Sequence, residues 1–510
     1  MFARTPHPEC WSPDPAQRSC LLGLNMPTDG VPSTIRHHAF VIRGYLRNTI
    51  LLVLFALFPL SAWAQPAIAV THVTVIDGTG AKPKADQTVV VTGERIVQIG
   101  TSRRVKLPEK TQVVDGTGKF LIPGLWDMHV HMSEIPHFSE LCIANGVTGV
   151  RDMFGDMTNI MAERKAIAGG QPGPRIVAAG RLIDGPNPIW PGSVTAKDAE
   201  EGRQAVRTVK QEGSDFIKVY SLLPRDAYFA IAEEARRQGM VFAGHVPDSV
   251  TAAEASDAGQ KSIEHLTGVL PACSSRAAEL MPAGPARNNP TNLVRYIKTL
   301  VETYDEQKAQ ALFARFKRNH TWQCPTLTVL DNISHLHDGS LTNDYRLKYV
   351  NAELAQFWNP TNVRFANTPP EVWTEMQRAG HIRQEIVGRM RRAGVEFLAG
   401  TDTPNPYCFP GFSLHDELDR LVAAGLTPTE ALQAATLNPA RYFDRLPDLG
   451  TIQPGKLADL VLLDANPLRD IHNTTKIRAV FANGRFYDRA ALDQFLHNAE
   501  QPIQGSGKEQ

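Results

Sequence analysis

Two hydrophobic rhythms divide the chain. Residues 68–76, 88–92 and 95–99 are runs of β-branched residues parted by Gly- and Asp-containing turns such as Asp77-Gly78, and they read as strands. Residues 455–464 and 477–484 return to the same style near the other end. We expect the two ends, residues 65–123 and 447–490, to pair into one small β-sandwich, with a tail over 491–510. Between them, eight apolar runs alternate with helical patterns: 125–131, 147–153, 175–179, 216–220, 241–246, 262–266, 322–329 and 396–402. A helix is expected over 225–238, with Pro224 suited to its N1 position. Eight strands alternating with helices predict an α/β chain whose middle, residues 124–446, is a (β/α)8 TIM barrel. The polar, helical stretch 330–394 follows the seventh strand and is expected to lie over one mouth of the barrel, as a lid or a subunit contact. The sequence shows no internal repeat and no low-complexity segment.

The first 64 residues follow neither rhythm. Residues 1–32 are Pro-rich and aperiodic; Arg36, Arg43 and Arg47 then precede the apolar run 50–60, and Ala62-Trp63-Ala64 follows. A basic region, a short apolar core and a small-residue site predict a signal peptide cleaved after Ala64, hence a secreted or periplasmic protein. The other reading is an uncleaved anchor. The run is shorter than the roughly 20 residues a spanning helix needs, so no stable membrane insertion is expected after cleavage. Met26 is a candidate start close to the basic region.

Over all 510 residues, 42% are apolar and 21% charged, with 53 basic against 53 acidic side chains. That balance supplies core for a barrel plus a smaller domain. With no basic run interleaved with aromatics, it speaks against nucleic acid as a partner. Beyond Ala64, Cys142 and Cys324 sit in apolar patterns and read as buried thiols. Cys273 and Cys408 fall in expected loops, where an oxidising compartment would permit a bridge between them.

Chemistry collects at the strand ends. The first strand carries Asp127-Met-His129-Val-His131, whose two imidazoles share one face of an extended chain. Lys218 and Tyr220 close the fourth strand, His245 the fifth, His265 the sixth and Asp402 the eighth. In a (β/α)8 barrel such C-terminal ends converge on one mouth. Each residue alone has an ordinary structural reading: a satisfied core histidine, a salt-bridged lysine, a helix-capping aspartate. Together, four imidazoles, an amine and a carboxylate are costly to desolvate without a metal, so the set points to one.

His129-x-His131, Lys218, His245, His265 and Asp402, with segment 120–131, Gly400-Thr-Asp402, segment 431–436 and Gly455-Lys-Leu-Ala-Asp459, resemble the two-metal form of the amidohydrolase superfamily. The resemblance covers residues 68–488 and is nearest to the imidazolonepropionase-like and prolidase-like branch. It implies a metal-dependent hydrolase with two divalent cations, zinc foremost, with manganese and cobalt as alternatives. His129, His131 and Asp402 would bind the more buried ion and His245 and His265 the outer one. Lys218 would bridge both as a carbamate, for which burial must first favour the neutral amine. Imidazolonepropionase itself resembles a one-metal design without this lysine, so Lys218 argues against that activity.

The implied reaction is attack by a metal-bridging hydroxide on a C–N amide bond of a small peptide-like substrate, an X-Pro dipeptide or an N-acyl amino acid. Asp402 would be the general base. Tyr220, two residues past Lys218 on the same face, is a candidate to bind the substrate carboxylate or the developing oxyanion, or else a rim aromatic packed on a loop. Arg151 and Arg181, near the ends of the second and third strands, are candidate carboxylate clamps, since guanidinium binds carboxylates bidentately. His415 follows the loop 404–410 and reads either as a support for the ligands or as a helix-surface residue. Two rivals stay open: a lactone or phosphotriester hydrolase on the same centre, and a periplasmic binding protein on an inactive barrel. The intact ligand set and Asp402 speak against the second. A homo-oligomer is compatible with the sequence.

Overall fold

The computed structural model describes residues 66–132, 135–276, 290–359, 361 and 365–500. The expected signal peptide lies outside the described residues, as does the end of the tail. Five strands come first: β1 (Ile68–Val75), β2 (Lys84–Thr92), β3 (Arg95–Thr101), β4 (Gln112–Asp115) and β5 (Phe120–Pro123). The middle carries β6 (Leu125–Val130), β7 (Val147–Asp152), β8 (Arg175–Ala178) and the short β9 (Ile183–Asp184) and β10 (Val194–Thr195). After them come β11 (Ile217–Val219), β12 (Phe242–Gly244), β13 (Ser262–Glu264) and β14 (Trp322–Cys324). β15 (Leu460–Leu463), β16 (Ile477–Ala482) and β17 (Arg485–Asp488) complete the series.

Strands from both ends share one eight-stranded sheet, ordered β17-β16-β15-β5-β1-β2-β3 with β4 paired to β1. Its junction is the antiparallel β5–β15 pair, running from Pro123 opposite Leu460 to Phe120 opposite Leu463. The period-2 alternation of side chains buries both faces of this seam. Leu121, Leu460, Leu462 and Phe481 join a cluster with Val73 and Val89 on one face, while Ile122, Val461, Leu463 and Val480 enter the main core on the other. Each such side chain, fully buried, contributes roughly 1.5–3 kcal/mol.

In the middle the strands run parallel, β6-β7-β8 in one sheet and β10-β9-β11-β12-β13-β14 in another. Helices alternate with them. In the helix Arg225–Arg237, Ala227, Tyr228, Ile231 and Ala235 sit in the main core with Ile217 and Phe242. Pro224 precedes that helix rather than standing inside its first turn.

Two expected strands differ. The run 322–329 is a strand only to Cys324, because Pro325 has no N–H for a ladder and Thr326 takes a φ of 48°. Leu327–Ser334 is a helix instead. Residues 396–402 form no continuous strand; single bridges tie Phe397 to Gln323 in one sheet and the adjoining Thr403 to Val130 in the other. Leu398 N–H donates to Gln323 O at 2.9 Å on one side, and Met128 N–H to Ala399 O at 2.8 Å on the other. Asp402, with φ 64°, ends any regular extension.

The stretch 330–394 contains the helices Ala352–Trp358 and Pro370–Ala393. Cys142, Cys273, Cys324 and Cys408 are all free and buried, so Cys273 and Cys408 form no bridge. Cys273 is part of the main core, where burial pushes its thiol up to about 12. No helix among the described residues is long and apolar enough to cross a membrane.

Candidate metal centre

The strand ends bring the chemistry together. His129 lies in β6 with His131 just past it, Lys218 lies in β11, and His245 and His265 each follow directly on β12 and β13. These five, with Asp402 and Tyr220, line one cavity of about 750 Å³. Asp402 Oδ1 stands 3.0 Å from His131 Nε2 and 3.3 Å from His129 Nε2, and Oδ2 stands 3.9 Å from His265 Nδ1. The His129 and His265 ring centroids are 4.5 Å apart, those of His245 and His265 4.9 Å. His265 and Asp402 hold φ values of 58° and 64°. Such backbone costs roughly 1–3 kcal/mol per residue and persists where the surroundings impose it. At Gly400 a Cβ would meet His129 Cβ at 2.8 Å and Cys324 Sγ at 2.6 Å, so glycine lets the Asp402 segment close onto β6.

Each imidazole is held from behind through Nδ1. His129 Nδ1 donates to Glu264 Oε2 at 2.8 Å and His131 Nδ1 to Phe154 O at 3.3 Å. His245 Nδ1 pairs with Ser221 Oγ at 2.8 Å, and His265 Nδ1 with Thr326 Oγ1 at 2.7 Å. A carboxylate and a carbonyl only accept, so Nδ1 of His129 and His131 carries the proton and Nε2 keeps its lone pair. Metal-binding histidines are oriented in this way. Asp127 accepts from Thr401 Oγ1 at 2.7 Å, Thr401 N–H at 3.0 Å and His129 N–H at 3.2 Å, fastening the Asp402 segment to β6.

The donor set fits a divalent centre. His129 Nε2 and Lys218 Nζ are buried without a hydrogen-bond partner, a condition that costs roughly 1–3 kcal/mol per group. A cation on His129 and a carbamate on Lys218 would relieve it. Burial pulls the Lys218 amine down to about 8, with Glu264 and Asp402 opposing. Burial likewise takes His265 down to about 4 and His129 well below the usual imidazole range. For Asp402 burial acts upward, yet His265 and His131 outweigh it and hold the carboxyl below its ordinary value. Neutral imidazoles, an anionic carboxylate and a readily neutralised amine are the protonation states that metal ligation requires.

Two expected substrate residues lie elsewhere. Arg151 is wholly buried and outside the cavity lining; its Nη2 donates to both Glu264 oxygens at 2.8 Å, its Nε to Met128 O at 2.6 Å and its Nη1 to Ser262 Oγ at 2.9 Å. Burial acts against its charge, but Glu264 holds the guanidinium above its ordinary range. It is therefore a buried partner of Glu264 and not a substrate clamp. Arg181 reaches back to Glu212, Nε to Oε2 at 3.0 Å, and lines a different cavity with Asp156 and Glu163. His415 is not a surface residue: it is buried between Thr474 Oγ1 at 2.9 Å and Asn145 O at 3.1 Å. Tyr220 does line the metal cavity, its ring centroid 4.0 Å from that of His245 and its hydroxyl accepting from Trp190 Nε1 at 2.9 Å.

Glu264 and Trp190 escaped the sequence reading. For Glu264 a signal existed, since Ser262 and Glu264 flank the core residue Ile263 in β13 and so share the opposite face. Trp190 stands in a loop with no periodic pattern. Leu330, Ile333 and Phe357 of the 330–394 stretch also line the cavity.

Imidazolonepropionase of Pyrobaculum arsenaticum is 39% identical over 114 residues, which span 19% of this chain and 28% of that protein. Ochratoxinase of Aspergillus niger is 23% identical over 499 residues, 84% of this chain and 88% of that protein. The solved structure of bottromycin amidohydrolase shares the fold at a TM-score of 0.68 and 21% identity, over 84% of this chain and 89% of that one. The amidohydrolase family itself matches residues 120–487, from β5 into β17, and the chain belongs to that family, as a hydrolase acting on carbon–nitrogen bonds.

Proposed function

We propose that the protein hydrolyses an amide bond in a small peptide-like substrate, an X-Pro dipeptide or an N-acyl amino acid, at a centre of two divalent cations, zinc first. The observation that carries this reading is the Lys218 amine, buried without a hydrogen-bond partner and pulled down to about 8 among four imidazoles and a carboxylate. His129, His131 and Asp402 would hold the inner ion, His245 and His265 the outer one, and Lys218 would bridge them as its carbamate. When bound, such a centre supplies a Lewis acid for the scissile carbonyl and a nucleophile near neutral pH.

Asp402, kept anionic by its neighbours, takes the nucleophile's proton and passes it to the leaving amine. Tyr220, steadied by Trp190, donates to the carbonyl oxygen as charge develops there. Leu330, Ile333 and Phe357 keep bulk water from the reacting groups. We further propose that the parallel strands and segment 396–402 close into a (β/α)8 barrel, and that the composite sheet of residues 65–123 and 447–490 folds as a sandwich beside it. Residues 1–64 are proposed to direct export.

The test is amine release from X-Pro dipeptides, other dipeptides and N-acyl amino acids by zinc-loaded protein, with Asp402→Asn as the control. Turnover abolished in the control supports the reading. No turnover across the panel with metal bound sinks it and brings lactones and phosphotriesters forward.

A further inference from the structure

Beside the metal cavity lies a second one of about 650 Å³, within the size range of small-molecule sites. Residues following β12 and β13 line it, together with the helices Pro290–Glu302, Glu306–Asn319 and Pro370–Ala393. His265 and Leu330 line both cavities, so the two abut at a candidate metal ligand. The walls are mainly apolar, with Val250, Leu270, Leu300 and Leu312 among them.

Three cationic side chains and one carboxylate, Asp248, complete the lining. Two of the cations are engaged: Lys308 Nζ donates to Ser274 O at 3.2 Å, and Arg315 pairs with Asp257 at 3.2 Å. Arg383 has no hydrogen-bond or ion-pair partner among the described residues. Burial draws its guanidinium below the ordinary range, with only Tyr296 opposing among the described residues. A guanidinium without an ion-pair partner among the described residues, in a mainly apolar wall, is a poor arrangement unless a ligand brings an anion to it.

We propose that this second cavity binds the carboxylate-bearing, bulky apolar half of the amide substrate, with Arg383 as the partner of the carboxylate. The inference rests on the amide-hydrolase reading for placing the scissile bond at the metal centre. It gives the site the guanidinium that neither Arg151 nor Arg181 supplies, and it leaves Tyr220 to the carbonyl oxygen. The favoured leaving group is then an amino acid with a branched or aromatic side chain, since glycine leaves the apolar wall uncovered. Without its carboxylate, a substrate leaves the guanidinium unpaired.

Calorimetric titration of the full chain with leucine and with leucinamide tests this, in the native protein, Arg383→Met and Arg383→Gln. The native protein is expected to bind leucine at least tenfold more tightly than leucinamide. Both variants should lose that preference while binding leucinamide as before, with an unchanged melting profile. Where one variant fails to fold, the other decides. Equal binding of the two ligands by the native protein overturns the proposal, as does an undiminished preference for leucine in a folded variant. Because the readout is binding, the two readings fail separately. An Arg383-dependent preference in a protein that hydrolyses none of the amide panel refutes the amide-hydrolase reading and keeps the subsite; turnover without that preference refutes the subsite alone.

Discussion

Glu264 stands behind His129, and replacing it with glutamine isolates what it does there. Its two oxygens accept from His129 Nδ1 at 2.8 Å, from Arg151 Nη2 at 2.8 Å to each oxygen, and from the Ser262 hydroxyl. A carboxamide of the same shape keeps one acceptor and turns the other position into a donor facing donors. The Arg151 and Glu264 side chains are both fully buried, and stripping one partner from such a pair costs roughly 3–5 kcal/mol. Loosening the support of a metal-binding histidine lowers metal affinity by about 10–100-fold. A mutant cycle with Arg151→Met separates the two effects. The double variant removes both buried charges, so a favourable coupling of about 2–3 kcal/mol is expected in urea unfolding of the metal-free protein. Zinc affinity, measured by competition with a chromophoric chelator, should stay low in Glu264→Gln and in the double variant alike. Affinity restored in step with stability would show that Glu264 acts only as structural support. Affinity within twofold of native in Glu264→Gln would refute the positioning role outright.

Four further outcomes are expected. Lys218→Met should bind one divalent ion, against the two expected of the native protein, by metal analysis. With a native amine at about 8, the neutral fraction rises roughly tenfold per pH unit below that value. Loading of the second ion with bicarbonate should therefore accelerate with pH up to about 8 and then level off, and pH-independent loading would contradict the carbamate. Burial holds His415 at about 4 in the fold against 6.5 unfolded, so the unfolded chain takes up that proton first. Stability is intact above pH 6.5 and falls by up to about 3 kcal/mol toward pH 4; His415→Gln should flatten this slope in urea melts, and an unaltered slope argues against it. Gly400→Ala should destabilise by about 1–3 kcal/mol through overpacking against His129 and Cys324 and weaken zinc binding. Native melting and zinc affinity in that variant would mean that the segment shifts freely.

The candidate metal residues were legible because two rules act together: alternation puts His129 and His131 on one face, and the ends of parallel strands bring the others to the same cavity. Alternation names a face but not a depth, and Arg151 shows the difference. It was read correctly at the end of β7, yet it meets Glu264 beneath the imidazoles instead of opening to the cavity. Cys408 lies in a loop, as the nearby Pro404, Pro406 and Pro410 suggest, yet it is buried. What buries the adjacent Tyr407 and Phe409 is Trp358, from the 330–394 stretch, and no local pattern encodes so distant a contact. Pro325 did carry a visible stop signal inside the run 322–329, and there the apolar continuity masked it. Arg383 sits in the polar, helical stretch 330–394, and only tertiary packing turns that side chain toward a cavity wall.

The seam between β5 and β15 has a consequence for how the chain comes into being. Its partners lie about 340 residues apart, so Leu121 and Ile122, made early, wait for Leu460 to Leu463, made near the end. Closing so long a loop adds little thermodynamic cost, since each doubling of length adds only about 0.6 kcal/mol. The kinetic burden is heavier, because pairing across such a separation is slow and an unfilled strand edge is open to wrong partners meanwhile. A chain cut short before β15 therefore leaves the β5 edge and its apolar side chains uncovered, although all the candidate metal-site residues are already present.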